Sequence, residues 1–186
     1  MTLSELFETI RSHYVDELMA VLKSHDTVIA EPVMLDSSGN PATDGPYDLP
    51  TRLDVVSVKD EKSQEVIRVD TESMISFGAI SLTWENDLEV TLEPFQWNWL
   101  QLRAQGSSLD SEPIIRWFQE WFKVSKESGS SELIEVVHFL SDPVIENDSL
   151  NCEIDLGSAP IDAIFGLLDA VVECGADNVY IGQNAA

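Results

Sequence analysis

Ile114, Trp117, Phe118, Trp121 and Phe122 fall at i, i+3, i+4, i+7 and i+8, so a helix over 113–126 carries an unbroken apolar stripe. Burying one large apolar side chain is worth about 1.5–3 kcal/mol, so a stripe of five requires a second layer to cover it. Pro113 suits the start of such a helix. Arg116 and Glu120 stand four apart on its other side, where they can pair.

Strands elsewhere in the chain supply that layer. Ile80, Leu82 and Trp84 alternate, "END" turns the chain, and Leu88, Val90 and Leu92 alternate back. Ser81, Thr83, Glu89, Thr91 and Glu93 take the opposite face, as in an antiparallel sheet with one wet side. An earlier hairpin reads as "RLDVVSVK" and "QEVIRVD" around "DEKS", which makes the region a β-meander. "TVIAEPVML", residues 27–35, is a further strand that Pro32 confines to an edge or ends early.

Residues 3–24 form an amphipathic helix on Leu3, Phe7, Ile10, Tyr14, Leu18 and Val21, with Thr2 and Glu5 at capping-box spacing. Near the other end, 133–140 and 150–156 read as strands joined by a polar turn with Pro143. A helix follows over about 159–174, with Ser158 as N-cap and Gly175 as stop, then a strand over 178–182. The expected fold is α+β, a largely antiparallel sheet covered by two or three helices, with a C-terminal β-α-β unit. One compact domain over 1–186 is expected, with sub-lobes 1–106 and 112–186 about the polar link 107–111.

"PFQWNWLQLRAQG", residues 94–106, reads two ways. As a strand it puts Phe95, Trp97 and Trp99 on one face. As a helix it starts at Pro94 and stops at Gly106. Aromatic enrichment favours the strand. Trp97 and Trp99 then either join the core or form an exposed patch that marks an interaction surface.

Motifs for chemistry are sparse. Asp36, Asn40 and Asp44 sit in a Pro/Gly-rich loop but lack the ligand spacing of a calcium loop, so no metal site is expected there. His138 on a strand near Cys152 and Asp155 is the one arrangement that could make a thiol dyad with an orienting acid. Cys152 lies inside a strand with no basic neighbour to activate it, so no catalytic residue is assigned. "DLGSAP", residues 155–160, enters a helix as anion-binding loops do, but it has one Gly and no Lys and reads as a plain capping turn. No nucleotide, haem, iron–sulfur or zinc motif is present, and no cofactor is expected. Cys152 and Cys174, the two cysteines, read as buried thiols of a cytoplasmic protein. The first twenty residues carry no signal pattern, and no membrane span is expected.

Charge speaks most directly to function. Thirty-four acidic residues against ten basic give −24, and residues 127–186 carry twelve acidic residues and no Lys or Arg. That field repels nucleic acid and anionic membranes and attracts basic proteins. Asp162, Asp169 and Glu173 share the polar face of the last helix, well placed to meet a partner's Lys and Arg. The expected function is a non-enzymatic acidic binding protein, such as an immunity-type inhibitor or a nucleic-acid mimic, that sheathes a basic partner. An assembly module using Trp97 and Trp99 is the second class. An enzyme with a carboxylate or His138-centred site is the third.

Overall fold

The computed structural model describes residues 1–60, 63–69, 74–123 and 131–183. Helix α1 spans Leu3–Lys23 and begins with a complete capping box: Glu5 N donates to Thr2 Oγ1 at 3.2 Å and Thr2 N donates to Glu5 Oε2 at 2.6 Å. Its buried stripe is Leu6, Phe7, Ile10, Tyr14, Leu18 and Leu22. β1 is Val28–Ala30, and Glu31 then takes a left-handed φ of 50°, which turns the chain before Pro32. The loop that follows closes on itself, Asp36 Oδ1 accepting from the backbone N–H groups of Ser38 and Asn40 at 2.8 and 2.9 Å. Two short strands, β2 (Thr43–Asp44) and β3 (Leu49–Pro50), pair within it.

β4 (Val55–Asp60) pairs with both β1 and β5 (Ser63–Ile67) in an antiparallel three-stranded sheet. The second hairpin, β6 (Ile80–Thr83) and β7 (Glu89–Leu92), belongs to a separate, larger sheet. The continuous meander is thereby corrected to two sheets, because the free side of β7 is taken by the last strand of the chain in parallel. β8 is Leu100–Gln105 and α2 is Glu112–Phe122. β9 (Phe139–Leu140), β10 (Val144–Glu146) and β11 (Ser149–Asp155) follow, then α3 (Ile161–Glu173) and β12 (Asn178–Gly182).

The order of the larger sheet is β10-β11-β8-β12-β7-β6, with β9 beside β11. All its pairings are antiparallel except β12 with β7. β11, α3 and β12 form a strand–helix–strand unit whose two strands flank β8. The chain is thus α+β with mainly antiparallel pairing.

The inward positions of the larger sheet follow strict alternation: Val90 and Leu92 of β7 and Leu100, Leu102 and Ala104 of β8 are buried together with Leu150, Cys152, Ile154, Val179 and Ile181. They share one cluster with Ile114, Trp117, Phe118 and Phe122 of α2 and with the buried faces of α1 and α3. Trp117 Nε1 donates to Ala163 O at 2.9 Å, which locks α2 onto α3. α3 also meets α1 through Phe165, in edge contact with Phe7 at 5.5 Å.

Four local expectations change. Residues 96–99 form a tight turn with Trp99 N donating to Gln96 O, so the strand begins only at Leu100. The apolar stretch from 133 enters a ladder only at Phe139, because Glu135 adopts φ 58° and breaks the extended run. Pro160, not Ser158, holds the cap position of α3, since the Ser158 hydroxyl accepts from Val136 N. Arg116 pairs with Glu173 across the helix interface at 2.6 Å rather than with Glu120. The expected end of the second helix beyond 123 lies outside the described residues.

Candidate functional site

The two sheets meet along a seam, and His138 sits on it. Its backbone N–H donates to Asp155 O of β11, and its carbonyl accepts from Arg52 N just before β4, both at 2.9 Å. One residue therefore bridges the larger sheet to the smaller. Around its ring the fold gathers three carboxylates: Glu31 at the left-handed turn after β1, Asp54 before β4, and Asp155 at the end of β11.

His138 and Glu31 are both fully buried, with Nε2 2.8 Å from Glu31 Oε1. Nδ1 is 3.2 Å from Asp54 Oδ1 and 3.8 Å from Asp155 Oδ2. With carboxylates at both nitrogens, each ring N–H is a donor and the imidazole is a cation. Burial opposes that charge, but Asp155, Asp54 and Glu31 outweigh it and raise the His138 pKa to about 10. Burial also opposes ionisation of Glu31 and Asp54, yet the hydrogen bonds from His138 hold both below the usual carboxylate range.

Backbone amides complete the arrangement. Glu31 accepts from Ile134 N at 2.8 Å and from Ser158 N at 3.2 Å. Asp54 accepts from Tyr14 Oη at 2.8 Å and from Val69 N at 2.7 Å. Asp155 accepts from Gly157 N at 2.8 Å, but burial, with Asp54 nearby, raises its pKa to about 7. The "DLGSAP" loop does hold an anion, and it is an internal one: the Glu31 carboxylate. Arg11 of α1 clamps the same loop through Ala159 O and Ser158 O at 2.8 and 3.1 Å.

Gly157 is needed at this point. Its φ is 53°, and a Cβ there would collide with the His138 ring and Val136 O. Gly157→Ala is expected to lower stability by about 2 kcal/mol or more, read as a lower urea midpoint with an unchanged slope.

A cleft of about 560 Å³ opens beside the cluster, between the β3–β4 connection, β9 and the end of β11. Asp54 and Asp155 reach its wall with 12% and 22% of their side-chain surface exposed, while His138 lies behind them. Trp99, Met34, Asn98, Glu153 and Arg68 are among the other lining residues. Asn98 Nδ2 donates to Val69 O at 3.1 Å, whereas its buried Oδ1 has no hydrogen-bond partner among the described residues. Arg52 also reaches the cleft, but its guanidinium is spent on the carbonyls of Glu31, Phe122 and Lys123 and lies over the Phe122 ring.

The residues singled out in the sequence are scattered by comparison. Trp97 is 1% exposed and belongs to the core, so a patch on the pair reduces to Trp99, which is 51% exposed and lines the cleft. On α3, Asp169 accepts from Trp84 Nε1 at 2.9 Å and Glu173 is paired with Arg116, while Asp162 is exposed at the first turn. Cys152 alternates onto the opposite face of β11 from Asp155, and burial pushes its thiol far above the ordinary range, so the thiol-dyad arrangement is absent. Glu31, Asp54 and Tyr14 were not singled out. The available signal was a lone charged residue inside each of three apolar runs, "VIAEPV", "LDVV" and "VVHF". Charges so placed must be paired if they are buried. Neither a family model, nor a curated protein, nor a solved structure matches the chain.

Proposed function

We propose that the chain is a non-enzymatic acidic binding protein and that its working element is this cleft, which takes a positively charged group. The observation that carries the reading is that the carboxylates of Asp54, Asp155 and Glu153 line one cleft together with a half-exposed tryptophan, Trp99. Carboxylates with an aromatic face are a favourable surround for an ammonium or guanidinium group. A Lys or Arg side chain of a basic protein is the occupant that connects this cleft to the net charge of −24. The long-range field would steer the partner, and the cleft would anchor it.

Titration with a Lys/Arg-rich peptide, followed by tryptophan fluorescence at low and high salt, tests this. Binding should weaken about tenfold or more in high salt, and Trp99→Phe should remove most of the signal change. Binding indifferent to salt and to Trp99 would remove the proposal.

A second reading, acid–base catalysis, is favoured by one observation: the Asp155 carboxyl is held at about 7 on the cleft wall. His138 cannot be the base, since both its nitrogens are donors. This reading requires a ligand atom within hydrogen-bond reach of Asp155, and turnover abolished in Asp155→Asn.

A further inference from the structure

We propose that His138 Nδ1 and one oxygen each of Asp54 and Asp155 hold a divalent transition-metal ion at the inner end of the cleft. These three ligand atoms lie within 4.8 Å of one another. Ligands at about 2.1 Å on a tetrahedral ion stand roughly 3.4 Å apart. The His138–Asp54 separation of 3.2 Å and the His138–Asp155 separation of 3.8 Å bracket that value, and the Asp54 and Asp155 oxygens lie within 4.8 Å, so side-chain rotations that draw the carboxylates in would close the set.

The surrounding contacts are those of a built site. A metal-binding imidazole usually donates its other N–H to a carboxylate, which fixes its orientation and raises its basicity. Glu31 does this for Nε2 at 2.8 Å, and is itself held by two backbone amides. Tyr14 and Val69 hold Asp54, and Gly157 holds Asp155. Each of the three ligands therefore has a fixed second partner. On binding, the ion replaces the proton that Nδ1 now shares with Asp54.

Two further observations point outward from the cluster. Protein supplies three ligands, and two of them, Asp54 and Asp155, line the cleft, so an ion held between them would border it, as in a site that leaves a position for water or a ligand. Asn98, which also lines that cleft, donates to the carbonyl of the same Val69 whose N–H holds Asp54, so the cleft wall and this ligand share one backbone support. One imidazole with two carboxylates favours zinc, manganese or ferrous iron over calcium, whose sites are built of oxygen.

The inference rests on the reading of the cleft as a cation site, and the two can fail separately. Full-length chain stripped with chelator would be titrated with zinc by calorimetry at neutral pH, in excess magnesium to occupy diffuse surface sites. One equivalent of zinc per chain is expected. Asp155→Asn, which keeps the Gly157 hydrogen bond, should weaken it at least about tenfold, and Glu31→Gln by about 10–100-fold. Asp162→Asn should leave it unchanged, and circular dichroism checks that each variant is folded. Absence of saturable zinc binding, or binding indifferent to Asp155→Asn, overturns the metal site. If the basic peptide still binds in that case, the cleft reading stands without the metal. If zinc binds and the peptide does not, the metal stands and the basic partner falls.

Discussion

His138→Ala is expected to destabilise the fold by about 3–5 kcal/mol at neutral pH, the largest effect of any single substitution in the cluster. The wild-type ring is the counter-charge for Glu31, which is wholly buried, and for Asp54, which is nearly so. Removing it leaves two carboxylates in a low-dielectric seam with only backbone amides, Tyr14 and Ser158 to satisfy them. A cavity the size of an imidazole adds a smaller penalty. The two costs separate by pH. Near pH 4 the carboxylates can take up protons, so the electrostatic part of the loss should shrink while the cavity part persists. Urea denaturation of wild type and variant at pH 4.5 and pH 7.5 measures this. Equal losses at both pH values would show that the ring acts by packing alone.

The second large effect is a stability that declines toward alkaline pH. His138 is raised from its ordinary value to about 10, so the folded chain keeps a proton that the unfolded chain gives up near 6.5. Its stabilisation is complete below pH 6.5, falls as pH rises, and is gone above about 10. Asp155, raised to about 7, acts in the same direction at lower pH: the unfolded chain loses this proton near 4 and the folded chain keeps it to about 7. Glu31 and Asp54 act oppositely, because their lowered values give stability that is present above about pH 4 and lost on further acidification. The maximum should fall near pH 4–5, with a loss of about 5–6 kcal/mol between pH 6 and pH 10 in chelator-treated protein. Asp155→Asn should flatten the slope between pH 4 and 7 and move the alkaline limb to lower pH, because the Asp155 charge is the largest of those that raise His138. Melting curves across this range check both limbs.

Elements governed by near-neighbour periodicity were legible in the sequence. The capping box at Thr2 and Glu5, the stripe of α2, and the alternation of β6 and β7 each depend on residues within a few positions, and each forms as read. What depended on long-range pairing was not. β7 shows nothing in its own residues that calls for β12 rather than β5 as its neighbour, so the two-sheet division was hidden. The cluster was hidden for the same reason. Its members Tyr14, Glu31, Asp54, His138 and Asp155 come from five separate segments, and only His138 and Asp155 were paired in advance, with Cys152 in place of the carboxylates that do surround the ring. Net charge points to α3, where Asp169 and Glu173 are engaged within the chain. Burial, rather than surface density of charge, distinguishes the carboxylates of the cleft.

Calorimetric titration of one Lys/Arg-rich peptide into wild type, Asp155→Asn and Asp162→Asn, at a single low salt concentration, tests the cleft most directly. The expected result is a loss of about tenfold or more in affinity for Asp155→Asn and a change under about twofold for Asp162→Asn, since one carboxylate lines the cleft and the other only adds to the field. Equal losses for the two variants would mean that the peptide senses net charge alone, and the cleft would have no part in recognition.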